Sequence, residues 1–76
     1  MDLRDVFATN LRRYRNAKGV SQDELAYEAK ISRSYLSQIE KGIFYVSLKI
    51  IGKLADALEI EPAELLRLPA KRRLKK

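Results

Sequence analysis

Residues 21–42 read SQDELAYEAKISRSYLSQIEKG. The stretch holds two short amphipathic segments joined by a tight break, each opened by a serine able to cap a helix. Ser21 is followed three residues later by Glu24, a capping-box signature that opens the first of them. The inward face of that helix is Leu25, Ala26 and Ala29, and the two small alanines let another helix cross close by. Ile31 then leads to Ser32, the cap of a second helix that runs to Lys41 before Gly42. With Ile39 at the centre of the inner face, steps of about 100° per residue bring Leu36 and Tyr35 within about 60° of it. Ser34, Ser37 and Lys41 fall on the far side, flanked by Arg33 and Gln38. A short helix that presents long hydrogen-bonding side chains outward is suited to reading something polar. The first candidate is the edge of a DNA base pair in the major groove.

The helical period holds on both sides of this pair, and no strand pattern competes. Leu3, Phe7, Leu11 and Tyr14 share one face of a first helix, and Gly19 follows Lys18 where a left-handed stop belongs. Ser47 caps a fourth helix with Leu48, Ile51, Leu54, Ala55 and Leu58 inward. Glu61-Pro62-Ala63-Glu64 predicts the opening of a fifth, because proline suits the first helical position; Leu65, Leu66 and Leu68 are then expected to close the core. The expected fold is all-α: five short helices forming one domain over residues 1–68, followed by a basic, flexible tail over 69–76.

Seventy-six residues allow one small domain, near the size at which a single core is only marginally sufficient. Cysteine and histidine are both absent. That removes disulfides, thiolate metal sites and the commonest general base and metal ligand, so no metal, no cofactor and no enzymatic activity are expected. No apolar run approaches the roughly 18 residues of a membrane span, and Met1-Asp2-Leu3-Arg4-Asp5 is not a signal peptide. A cytoplasmic protein with no membrane partner is expected.

The net charge of +6 is unevenly placed: +2 over residues 1–42, −2 over 43–66, and +6 over 67–76, where Arg67, Lys71, Arg72, Arg73, Lys75 and Lys76 meet no acidic residue. The whole excess therefore sits in the last ten residues. Such an end is either a solvated tail or a contact for phosphate, and the high isoelectric point by itself decides nothing about the motif.

Several pieces in register carry a family resemblance. The run Ser21-Gln22-x-x-Leu25-Ala26, then Ile31-Ser32, then Ile39-Glu40-x-Gly42, resembles the Cro and phage-repressor (Xre-type) helix-turn-helix family. Ile60-Glu61-Pro62-x-Glu64-Leu65-Leu66 extends the similarity to residues 5–66. Each piece alone is common by chance; all of them in order are specific. The resemblance implies a compact helix-turn-helix DNA-binding domain of phage-repressor type, with double-stranded DNA as partner.

It also implies roles. The first residues of the third helix would meet base edges, which maps to Arg33 and Ser34 and, a turn later, Ser37 and Gln38. An arginine can pair O6 and N7 of guanine together, and a glutamine can do the same for adenine. Gln22 matches the family's phosphate anchor at a helix amino terminus. Ser32 would touch phosphate while capping, and Lys41 would touch it from the end of the helix. Tyr35 would pack its ring with its hydroxyl toward the groove, or lie wholly in the core. For each of these the plain alternative is a solvated surface residue. Arg15 and Glu40 stand where the family places a buried arginine–carboxylate bridge that sets the angle of the reading helix.

The chain also departs from the family. Lys30 and Glu59 stand where glycine is usual, at positions that favour positive φ. Ile43-Phe44-Tyr45-Val46 replaces a polar loop that commonly touches phosphate. This apolar loop tucks into the core, meets DNA through Tyr45, or forms a dimer patch; Ile50, beside Gly52, supports the last. Phe44, Tyr45 and Ile50 are the interface candidates, and the interface is expected on the domain itself. The expectation is a homodimeric repressor or activator on a pseudo-palindromic site whose halves lie about 34–36 Å apart. Within the family, Ser32 to Glu40 is similar to restriction–modification controller proteins. A reading from another class stays open: an antitoxin-like protein-interaction module whose apolar loop binds a second protein while DNA contact is autoregulatory.

Overall fold

Short polar side chains set where each helix begins. In the computed structural model, which describes residues 1–68, Asp2 caps α1 (Leu3–Lys18) by accepting from the Arg4 amide at 2.9 Å. Ser21 and Glu24 form a reciprocal capping box on α2 (Gln22–Ala29), at 3.0 and 2.8 Å. Ser32 accepts from the Tyr35 amide to open α3 (Arg33–Glu40), and Ser47 from the Ile50 amide to open α4 (Leu48–Leu58). Three of the four α-helices stop in the left-handed region: α1 at Gly19 (φ +77°), α2 at Lys30 (+60°) and α4 at Glu59 (+61°). Lys30 and Glu59 thus adopt the positive φ expected of them, at a cost of about 1–2 kcal/mol each for a residue with a Cβ.

The fifth helix is not an α-helix. Pro62–Leu66 forms a single 3₁₀ turn, so the fold is four α-helices and a closing 3₁₀ segment. Glu61 gives this segment no side-chain cap, and Leu68 precedes a proline, which disfavours helical backbone at that residue. Too few residues remain between these two limits for an α-helix to propagate.

One core joins all five elements: Phe7 and Leu11 from α1, Leu25, Ala26 and Ala29 from α2, Leu36 and Ile39 from α3, Ile51, Leu54, Ala55 and Leu58 from α4, and Leu65. Three leucines expected inside lie out. Leu3 and Leu48 are the first residues of their helices and extend past their neighbours, leaving Leu48 85% exposed. Leu66 follows Leu65 in a 3₁₀ turn of about 120° per residue, so the two cannot face the core together; Leu65 is buried and Leu66 is exposed.

The buried face of α1 is wider than its heptad-like stripe suggests, since Val6, Ala8 and Asn10 are buried as well. Asn10 donates from Nδ2 to the carbonyls of Leu65 (3.0 Å) and Arg67 (2.8 Å). Tyr14 donates its hydroxyl to Glu64 at 2.8 Å. These bonds fasten the 3₁₀ segment to α1. Arg67 and then Tyr14 hold the Glu64 carboxyl below its ordinary value of 4.5. Among the described residues, no helix is long and apolar enough to cross a membrane, and no group of His, Cys, Asp and Glu could hold a metal ion. The basic tail over 69–76 lies outside the described residues.

Candidate nucleic-acid interface

The helix pair of residues 21–42 is organised around one buried carboxylate. Glu40, at the inner end of α3, is only 4% exposed. Its Oε2 accepts from Arg15 Nε at 2.7 Å and its Oε1 from Arg15 Nη2 at 3.1 Å, a two-point pair between α1 and α3. Arg15 Nη1 donates to the Val20 carbonyl at 3.0 Å, which ties in the α1–α2 connection. Gln22 Nε2 donates to the same Glu40 Oε1 at 3.0 Å, and Arg12 donates to the Glu40 backbone carbonyl. Three helices therefore converge on Glu40. The planar fork of a guanidinium demands a fixed geometry of its partner, so this hub sets how α3 sits on α1 and α2.

The outward residues divide into free and engaged groups. Ser34 and Lys41 are exposed; Ser37 and Gln38 are half-buried. Ser32 is exposed, with its Oγ occupied in capping. Gln22 is placed differently from a free surface anchor, because its Nε2 is engaged by Glu40 and its Oε1 faces Arg33 Nε at 3.4 Å. Arg33 is exposed, with Nη1 3.6 Å from Asp23 Oδ1. Sequence reasoning passed over Asp23, since nothing in its spacing pairs it with a residue across the turn. Tyr27, 83% exposed on α2, was passed over as well, because its outward phase makes it look like any solvated position.

Tyr35 is half-buried, its ring 5.8 Å from that of Phe44 and tilted by 38°. In the loop after α3, only Val46 packs on the core; Ile43, Phe44 and Tyr45 are exposed, Tyr45 at 74%. The core reading of the loop thus holds for one residue of four. Ile43 and Tyr45 are held from the side by α1, and Phe44 lies against Tyr35 of α3. The Arg4 guanidinium lies 4.6 Å from the centre of the Tyr45 ring, donates to the Ile43 carbonyl at 3.4 Å and pairs with Asp2 at 2.8 Å. That hydrogen-bonded pairing with Arg4 lowers the Asp2 carboxyl from its usual range. Ile50 is half-buried against the core rather than unpartnered. At Gly52 a Cβ would meet nothing within 4 Å.

A helix-turn-helix family model matches residues 11–65, covering α2, α3 and the turn between them. The chain belongs to the helix-turn-helix family of Cro and phage-repressor (Xre) type. It is 43% identical over 74 residues to a hypothetical transcription factor of Neisseria meningitidis, spanning 97% of this chain and 69% of that protein. The control protein C.BamHI of Bacillus amyloliquefaciens is 39% identical over 66 residues, or 86% of this chain and 82% of that one. The crystal structure of the restriction–modification controller C.AhdI from Aeromonas hydrophila superposes with a TM-score of 0.79 at 48% identity, covering 82% of this chain and 94% of the other. The Xre-type chain is accordingly a DNA-binding transcriptional regulator, not an enzyme.

Proposed function

We propose that this chain reads a specific operator through the major groove with α3, as a cytoplasmic homodimer on a pseudo-palindrome, and that it serves as a controller of the restriction–modification kind. The observation that carries the reading is the Glu40 hub. It fixes α3 against two other helices while leaving the opposite face, with Arg33 and Ser34, in solvent. Arg33 is the base reader, joined by Ser34 and, a turn later, Ser37 and Gln38. Lys41 and Ser32 touch phosphate at either end of α3. Gln22 acts mainly from behind, by holding Arg33 and Glu40. Tyr35, braced by Phe44, presents its hydroxyl toward the groove.

The dimer reading is supported by an open apolar cleft of about 140 Å³ whose lining includes Leu3, Phe44, Tyr45 and Leu66, all exposed. Exposed apolar side chains gathered in one cleft mark a surface that another protein covers. Ile50 contributes less than Phe44 and Tyr45, because it already packs on its own core. The same cleft supports the second reading, an antitoxin-like module in which a different protein occupies it and DNA contact is autoregulatory.

Selection of bound sequences from a random duplex pool tests the proposal. An inverted repeat with halves about one helical turn apart is expected. Arg33→Ala should relax preference at one position in each half, a loss of about 1–3 kcal/mol of discrimination, while melting stays unchanged. A pool that shows no enrichment sinks the operator reading and favours the protein-interaction one.

A further inference from the structure

Arg33 is held before any DNA arrives. Its Nε lies 3.4 Å from Gln22 Oε1 and its Nη1 3.6 Å from Asp23 Oδ1, so both holding groups come from the first turn of α2. Gln22 cannot readily turn away, because its Nε2 is committed to Glu40. Among the described residues Nη2 has no protein partner. A guanidinium is a rigid plane with five N–H donors. Restraining it at two nitrogens therefore orients the plane and leaves donors for an outside pair of acceptors.

As an acidic residue in the first turn, Asp23 favours the amino terminus of α2, a duty that needs no partner across the turn. It is exposed, and Ser21 with Glu24 already caps α2. An exposed pair at 3.6 Å adds little to stability, so its consequence is local to Arg33. For general affinity its charge is the wrong one, since a carboxylate beside the reading helix repels phosphate. An unrestrained arginine, in turn, reaches backbone phosphate on any sequence, and such contacts carry no sequence information. One biased toward a fixed plane meets stray phosphate less readily than a pair of base acceptors lying in that plane.

We propose that Asp23 is a specificity-determining residue: through Arg33 it keeps the guanidinium aimed at base edges and off the phosphate backbone, lowering affinity for all DNA but more so for the wrong sequence. The inference rests on α3 being the reading helix. Its test is a double-mutant cycle of wild type, Asp23→Asn, Arg33→Ala and the double variant. Binding is measured on the selected site and on a scrambled duplex of equal length, with melting followed to show that each variant is folded. Asp23→Asn should raise affinity for the scrambled duplex about two- to five-fold, the range an exposed ion pair commands, and raise it less for the selected site. The ratio between the two duplexes then narrows. In the Arg33→Ala background the same change should shift both duplexes by one common factor. An unchanged ratio in the wild-type background would make Asp23 a charge that acts on all DNA alike, and a widened ratio would make it a lock that hinders reading; either overturns the assignment. So does an equal narrowing without Arg33. A wild-type chain that binds both duplexes alike overturns the operator reading itself, and this assignment with it.

Discussion

Glu40 carries more of the geometry than any residue on the outward face. Truncating it to alanine would leave Arg15 Nε and Nη2 and Gln22 Nε2 without their acceptor, on side chains that are only partly open to water. Removing one partner of a buried ion pair costs about 3–5 kcal/mol because the other charge stays behind. In a domain of this size each kcal/mol shifts the melting temperature by about 4–8 °C. Glu40→Ala should therefore lower Tm by more than about 10 °C, read by circular dichroism, and a shift of a degree or two would show the pair to be dispensable. The bridge was foreseeable only through the family resemblance, since Arg15 and Glu40 lie 25 residues apart and no spacing rule joins them. Asp23 and Gln22 illustrate the same boundary. Helical phase places both on the front of α2, but the guanidinium they meet comes from across the turn, and phase within one helix says nothing of that distance.

Capping residues made the helix starts readable, because Ser21, Ser32 and Ser47 act on amides within their own first turn. The stops at Lys30 and Glu59 were readable only through the family resemblance, because a lysine or glutamate carries no local signal for left-handed backbone as Gly19 does. The fifth element escaped because its character depends on what limits it. A 3₁₀ turn confined between an uncapped Glu61 and the residue before a proline has little regular bonding of its own and stays in place through contacts with α1. Asn10 is the strongest of these. It is 1% exposed and satisfies two carbonyls of the closing segment, yet in the sequence it looks like a polar interruption of an apolar face. Asn10→Ala should cost about 1–3 kcal/mol for the acceptors left unpaired and loosen the 3₁₀ segment first. Hydrogen exchange should show the loss of protection at Leu65 and Arg67 preceding any change in α2 and α3; uniform loss across all helices would mean that the segment is not a separate unit. That ordering matters for function, since the reading pair would survive a defect that frees the cleft beside Leu66.

Across the whole molecule, stability, geometry and charge are assigned to different parts. Residues 1–66 are neutral overall and hold the core and the helix pair of 21–42, while the uncompensated positive charge sits in 67–76. Phosphate attraction supplies most of sequence-independent affinity, so a neutral domain must gain its discrimination from hydrogen-bonding geometry, which the proposed reading assigns to the outward face of α3. The apolar loop adds to this division, because Ile43 to Tyr45 bring no charge to the end of α3. The tail's part in the complex follows from its charge and is decided by salt. A chain ending at residue 68 loses Lys71, Arg72, Arg73, Lys75 and Lys76. On the selected site, the slope of log K against log salt should become shallower by about 0.9 for each phosphate those cations neutralise. The ratio between selected and scrambled duplexes should hold, because phosphate contacts position a protein without reading sequence. An unchanged slope would place the tail outside the complex, and the neutral domain would then have to bind through α3 and the few cations around it.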